Sequence, residues 1–136
     1  MAEMTVQLRS IYGTEAAVGW AGSHTVIVDR PEGKAGGAGL GFNGGELLGL
    51  AIGGCLCNDL QYVAHDFGVR LLSIEVDVTL QFEGQPSLAT DAAILVKVDA
   101  QDKKTDLQAL VERAVAISTV SNSLKRGLSI KVERSN

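Results

Sequence analysis

The chain has 136 residues, of which 46% are hydrophobic and 21% charged, and its formal net charge is −4. This composition is typical of one soluble globular domain, so we expect a single domain over residues 1–136. Nucleic-acid binding is not expected, because it needs basic patches or aromatic stacking surfaces and this acidic chain is only 4% aromatic.

Residues 1–42 are predicted to form strands followed by a glycine-rich loop. Met4 to Leu8 alternates apolar with polar residues, and His24 to Asp29 is a β-branched run, which together predict an antiparallel meander. The glycines from Gly39 to Gly44 resemble a dinucleotide-binding fingerprint, but about nine residues separate them from the preceding strand, whereas the fingerprint follows its strand directly. We therefore predict a mobile loop over an active cleft and no nucleotide site.

A long helix is predicted over residues 43–68. Asn43 is a preferred N-cap, Glu46 can complete a capping box with it, and Gly68 ends the helix. Almost every residue from Leu47 to Leu56 is apolar or small. This half of the helix is therefore predicted to be buried all round.

The same helix is not expected to cross a membrane. A membrane span needs roughly 20 apolar residues, and Asn58 and Asp59 interrupt this run. The N-terminus has no signal-peptide pattern either. We therefore expect a cytoplasmic protein that has no membrane partner.

Both cysteines of the chain, Cys55 and Cys57, lie on this helix. At that spacing they point about 200° apart, so they cannot form a disulfide with each other without unwinding the helix. Neither His24 nor His65 has a ligand spacing to them, so no metal site is predicted. Cys55 is then either an inert small hydrophobic residue or a nucleophile, and Cys57 is expected to be dispensable.

The second half of the chain is predicted to contain a hairpin, a helix and a short strand. Alternation from Leu72 to Glu83 and from Ala92 to Asp99 predicts a β-hairpin over residues 71–99. A second helix is predicted over residues 105–126, and a final strand over residues 128–133.

The predicted order of elements is β-β-β-α-β-β-α-β. This order favours an α+β fold in which antiparallel sheets surround the buried central helix. One sheet from a chain of this size covers only one side of that helix, so we expect a homodimer in which a second copy covers the rest. The two helices are predicted to meet through Gly53 and Gly54, where missing side chains allow a close approach.

Ser118 falls on the apolar stripe of the second predicted helix. It shares that stripe with Leu107, Leu110 and Ala114, so its hydroxyl is expected to point towards the core. Two interpretations are open. The hydroxyl either bonds back to the carbonyl four residues earlier or lines a pocket that faces Cys55.

Two segments of the chain resemble the OsmC/Ohr family. The pattern N-x-x-E-L-L-x-x-A-x-G-G-C-x-x-x-D over residues 43–59 resembles the family's central-helix signature, and Val120 to Gly127 resembles its second cysteine helix. The resemblance implies an OsmC-like fold, an intertwined homodimer, and thiol-dependent reduction of organic hydroperoxides with no metal or bound organic cofactor. By this resemblance, Cys55 occupies the peroxidatic position.

The chain departs from the family's pattern at the resolving and activating positions. Ser118 stands where the family has its resolving cysteine, so an external thiol is expected to reduce oxidised Cys55. Gly45 stands at the position of the glutamate that holds the family's activating arginine, and the turn around Gly13 carries no arginine. The candidate site therefore comprises Cys55, Ser118, Asp59 and Glu46, with Arg9 and Arg30 as candidate activators of the thiol.

Asp59 bears on whether the thiol reacts at all. It follows Cys55 by four residues on the same helix face, where its charge disfavours a thiolate unless a guanidinium lies between them. If Cys55 is inert, the alternative function is that of a non-catalytic dimer which binds a small apolar ligand in its interface cleft.

Overall fold

The computed structural model describes residues 2–136, which form five strands and three helices. In chain order these are β1 (Gln7–Ser10), β2 (Ala17–Ala21), β3 (His24–Val28), α1 (Gly44–Asp66), β4 (Leu71–Glu83), β5 (Leu88–Ala100), α2 (Leu107–Ile117) and α3 (Thr119–Arg126). The mixture of antiparallel sheets and helices confirms the predicted α+β class. The chain forms two compact units, an N-terminal unit that ends at Leu48 and a C-terminal unit that begins at Gly49. The single domain over residues 1–136 stays a prediction.

The N-terminal unit is built on an antiparallel sheet in the order β1-β2-β3, as the predicted meander requires. Its turns place Gly13 and Gly22 at positive φ values of 81° and 59°, which glycine adopts without steric cost. The first strand begins only at Gln7, so Met4 and Val6 lie outside the paired region.

Asp29 holds the glycine-rich loop that follows β3. Its carboxylate accepts hydrogen bonds from the backbone N–H groups of Arg30, Ala38 and Leu40 at 2.8, 3.1 and 3.1 Å. These bonds, that of Leu40 foremost, lower the pKa of Asp29 below its ordinary value of 3.8, because they stabilise the charged form. This carboxylate, together with backbone hydrogen bonds between Phe42 and the end of β3, therefore ties down the loop that was predicted to be mobile.

Replacing Asp29 with Asn is expected to destabilise the protein at neutral pH. Because the pKa of Asp29 is lower in the folded chain, its contribution is complete above the unfolded value of 3.8 and is lost as the pH falls through the folded value. Urea unfolding at about pH 7 and about pH 3 should therefore show a smaller difference between the two proteins at the lower pH. An equal difference at both pH values would contradict this contribution.

Helix α1 begins with the predicted capping box. The Asn43 side-chain oxygen accepts a hydrogen bond from the Glu46 N–H at 2.8 Å, and the Asn43 N–H donates to Glu46 Oε1 at 3.0 Å. The helix ends at Asp66, close to the predicted boundary, and Gly68 follows at a φ of 66°. Glu46 therefore has a structural role in starting the helix that carries both cysteines.

Only one side of α1 is buried. Ile52 and Leu56 are buried, whereas Leu50 is 54% exposed and Gly54 faces open space. The single chain therefore covers residues 47–56 on one side only, and their burial all round, which requires a second copy, stays a prediction. One hairpin covers one side of a helix and leaves the other side to solvent.

The two adjacent glycines of α1 face different surroundings. A Cβ atom on Gly53 would lie 3.1 Å from Cγ2 of Val78 in β4, while a Cβ atom on Gly54 would meet nothing within 4 Å. Gly53 therefore allows α1 to pack closely on the hairpin of its own chain, so its predicted place in a contact between two helices is wrong. Gly54 alone remains available for such a contact.

The hairpin of β4 and β5 forms in the predicted register. Three apolar pairs face each other across it: Ile74 with Val98, Val76 with Val96, and Val78 with Ile94. A register shift between Leu71 and Ser73 interrupts the alternation, and Leu72 is exposed.

The core of the C-terminal unit joins α1, α2 and the hairpin. Its fully buried members are Leu56, Leu60, Val63 and Ala64 of α1, together with Leu110 and Ala114 of α2. Apolar residues of both strands pack against this cluster, among them Ile74, Val76, Val96 and Val98. Burying each large aliphatic side chain is worth about 1.5–3 kcal/mol, so this cluster fixes α2 against α1 near Cys55.

Two predictions for the end of the chain are wrong. The helix predicted over residues 105–126 is broken at Ser118 into α2 and α3. The strand predicted over residues 128–133 does not form. A strand needs a neighbour for its backbone N–H and C=O groups, and this segment pairs with no strand of the C-terminal unit. Its alternating apolar residues are exposed: Leu128, Ile130 and Val132.

By length and composition alone, α1 could cross a membrane, with a mean hydropathy of 1.3 over its most apolar window. The core helix of a soluble protein meets the same criterion. The contacts of Leu56 and Leu60 within the core fit that second description.

Candidate active site

Helix α1 brings Cys55 and Asp59 together one turn apart. The Cys55 thiol donates a hydrogen bond to Asp59, with 3.5 Å between Sγ and Oδ2. Cys55 is half-buried, and Asp59 is only 7% exposed. A carboxylate so far from solvent is unusual unless it has a partner, and the thiol is that partner here.

Ser118, which lies between α2 and α3, is the third residue that contacts this pair. It occupies the break between α2 and α3 with φ −65° and ψ 112°, and its side chain makes no capping bond to α3. Its hydroxyl instead donates to Cys55, with 3.6 Å between Oγ and Sγ, and the residue is 1% exposed. Of the two interpretations of Ser118, the geometry matches the one in which its hydroxyl faces Cys55.

Cys55, Asp59 and Ser118, which we call the thiol cluster, form a short chain of hydrogen bonds. The sulfur accepts a bond from the Ser118 hydroxyl and donates one to the Asp59 carboxylate. An inert cysteine in a core is usually surrounded by apolar groups. This sulfur instead has a proton donor on one side and a proton acceptor on the other, which is the environment that proton transfer at a thiol requires.

Cys57 stands apart from this arrangement. It is also half-buried, and both cysteines are free thiols. Being two positions further along α1, it points about 200° away from Cys55, as predicted. In the described part of the chain, His, Cys, Asp and Glu side chains nowhere gather in a group of three that could hold a metal ion.

The other predicted site residues belong to the N-terminal unit. Arg30 donates to the backbone carbonyl of Glu15 at 2.7 Å and lies 3.5 Å from the carboxylate of Asp29. Arg9 donates to the carbonyl of Leu8, and its guanidinium lies 5.6 Å from the centre of the Trp20 ring. Both arginines therefore have structural partners in their own unit.

The helix break that aims Ser118 at the sulfur was missed by the sequence analysis. The apolar stripe of α2 continues through Ala114 to Ser118, so periodicity predicts one helix there. The available signal is that serine is a preferred N-cap, which indicates that a new helix can begin at Thr119.

The family model for OsmC-like proteins matches residues 36–133, a range that includes the whole thiol cluster and excludes Arg9 and Arg30. The chain belongs to the OsmC-like protein family. No curated protein matches its sequence significantly.

Solved structures confirm the OsmC-like fold. An OsmC-like protein from Mycoplasma pneumoniae has a TM-score of 0.75 at 12% identity, covering 91% of this chain and 88% of that chain. An organic hydroperoxide resistance protein from Legionella pneumophila has a TM-score of 0.64 at 14% identity, covering 92% and 90%. The organic hydroperoxide resistance protein OhrB of Bacillus subtilis has a TM-score of 0.58 at 20% identity, covering 91% of each chain. At these identities the likeness shows the fold alone.

Proposed function

We propose that this OsmC-like protein acts in peroxide stress by reducing organic hydroperoxides with the thiol of Cys55. The observation that carries the proposal is the buried Ser118 hydroxyl, which lies 3.6 Å from Cys55 Sγ and shows a polar site built around the sulfur. Two of the similar structures are named organic hydroperoxide resistance proteins, which supports the choice of substrate class.

The reaction would consume one hydroperoxide and two external thiols. Cys55 reduces the hydroperoxide to an alcohol and becomes a sulfenic acid. An external thiol then forms a mixed disulfide and releases water, and a second external thiol restores Cys55. An external reductant is needed because Ser118 cannot form a disulfide and Cys57 points away from Cys55.

We also propose that the protein is a homodimer and that it is cytoplasmic. The uncovered side of α1, with Leu50 exposed and Gly54 open, provides a surface for a second copy. The exposed apolar residues after α3 provide a second surface for such a contact. Covering such apolar area is the main favourable contribution to association.

Labelling with a sulfenic-acid probe tests the proposed function. Wild-type protein treated with an alkyl hydroperoxide should be labelled at Cys55, and the Cys57→Ala variant should be labelled equally. Cys55→Ser should lose the label and all peroxidase activity, because its hydroxyl is not a nucleophile for peroxide at neutral pH. Activity that survives in Cys55→Ser and disappears in Cys57→Ala would mean that the wrong cysteine has been assigned.

A second candidate function is binding of a small apolar ligand without catalysis. It is favoured by a cavity of about 260 Å³ in the N-terminal unit, lined mainly by apolar residues that include Leu8, Trp20 and Val26. An apolar ligand that quenches Trp20 fluorescence, combined with no sulfenic-acid labelling of Cys55, would support this function over the first.

A further inference from the structure

We propose that Asp59 is the general base that accepts the proton of the Cys55 thiol, an assignment that rests on the proposed thiol chemistry. Asp59 Oδ2 lies 3.5 Å from Cys55 Sγ in a direct hydrogen bond. Sulfur is larger than oxygen, so a contact of this length leaves no room for a water between the two groups. The proton can therefore pass from the thiol to the carboxylate in one step.

Within the C-terminal unit, the Asp59 carboxylate has the Cys55 thiol as its one hydrogen-bond partner. Its side chain makes no other hydrogen bond there, and the ion pairs of the C-terminal unit join Lys97 to Glu75 and Lys103 to Asp99. At 7% exposure it is also largely shielded from water. Since neither a cation nor bulk solvent competes for it in that unit, Asp59 is available to the thiol as a base.

Ser118 stabilises the product of this proton transfer. Before the transfer, the sulfur is a neutral thiol and Asp59 carries the negative charge. Afterwards, the sulfur carries the charge and accepts two hydrogen bonds, one from the Ser118 hydroxyl and one from protonated Asp59. The cluster holds one negative charge in both states, so a thiolate can form without an arginine to offset new buried charge.

The same proton completes the reaction with a hydroperoxide. The thiolate of Cys55 attacks the terminal oxygen of an alkyl hydroperoxide, a sulfur–oxygen bond forms and the oxygen–oxygen bond breaks. Sulfur is oxidised by two electrons, and the leaving alkoxide accepts the proton that Asp59 took from the thiol. The products are Cys55 sulfenic acid, an alcohol and ionised Asp59.

The rate of Cys55 alkylation tests the role of Asp59 without any peroxide. In a Cys57→Ala background, iodoacetamide reports only on the Cys55 thiolate. Replacing Asp59 with Asn should lower the alkylation rate constant by about 100-fold, as is typical when a general base is lost. A rate equal to or above that of the parent protein would overturn the proposal, because removing a charge that merely repels a thiolate has that effect.

Two further variants keep this test decisive. Asp66→Asn removes an exposed carboxylate from the same helix and should leave the alkylation rate unchanged. If Asp59→Asn does not fold, Asp59→Glu decides: a rate within about tenfold of the parent supports a carboxylate base, and a folded variant that is not alkylated overturns it. If the parent forms no sulfenic acid with hydroperoxide, the proposed function is wrong, while the alkylation rates still decide whether Asp59 is the base.

Discussion

Ser118→Cys should acquire an internal disulfide to Cys55 when treated with an alkyl hydroperoxide. The Ser118 Oγ atom lies 3.6 Å from Cys55 Sγ, so a sulfur in its place needs to move by only about 1.5 Å to reach bonding distance. The sulfenic acid formed at Cys55 would be attacked by the new thiol and would release water. In a Cys57→Ala background, mass spectrometry should show the loss of two hydrogens per chain, whereas the parent with Ser118 should hold the sulfenic acid until an external thiol is added.

Ser123→Cys is the matched control, because Ser123 lies on α3 five residues further along and is exposed. A thiol at that position should stay free after the same treatment. Two free thiols in Ser118→Cys at the unoxidised mass would contradict the geometry of the thiol cluster. Sulfinic acid at Cys55 as the main product in that variant would contradict it as well, since a nearby thiol should trap the sulfenic acid before a second hydroperoxide reacts.

Gly54→Leu should convert the proposed homodimer into a monomer. Gly54 lies on the uncovered side of α1 with nothing within 4 Å, so the new side chain fits the single chain without strain. Across a close helix contact the same side chain would hold the two backbones apart, and overpacking costs about 1–3 kcal/mol at each of the two symmetric positions. Sedimentation at micromolar concentration should show the wild type as a dimer and the variant as a folded monomer, which loses only the stability that association supplies.

Gly53→Leu provides the comparison. Here the added side chain meets Val78 of the same chain, so the expected result is a loss of stability of about 1–3 kcal/mol. A monomeric wild type would contradict the proposed assembly. So would a Gly54→Leu variant that remains as fully dimeric as the wild type.

Local patterns made much of the fold predictable. The capping box of Asn43 and Glu46 depends on residues three apart, and the register of the hairpin follows from strict alternation around Val76 and Val96. The final strand could not be predicted correctly, because apolar alternation at Ile130 gives a strand only where a neighbouring edge is free to pair with it. Which side of α1 the hairpin covers, and therefore the exposure of Leu50, likewise depends on tertiary packing.

The sequence predicted that Cys55, Asp59 and Ser118 face the same region, but not how they contact one another. The spacing of Cys55 and Asp59 places them on one helix face, and the stripe of the second helix places Ser118 towards the core. The hydrogen-bond partner of the Ser118 hydroxyl depends on the helix break before α3, and hydrophobic periodicity does not indicate that break. Arg9 and Arg30 were selected only as nearby cations in the sequence, and their contacts with the Trp20 ring and with the Glu15 carbonyl come from long-range packing.

The glycines in the loop after β3 restrict which sequence changes the loop can accept. A stretch so rich in glycine usually behaves as a linker that tolerates substitution. Here a Cβ atom on Gly37 would lie 2.6 Å from the carbonyl oxygens of Arg30 and Pro31, and one on Gly41 would overlap the carbonyl of Ile27. These glycines are present because backbone packs directly on backbone. In a library that randomises this loop, substitutions at these two positions would therefore be the ones that most often prevent folding, whatever side chain is introduced.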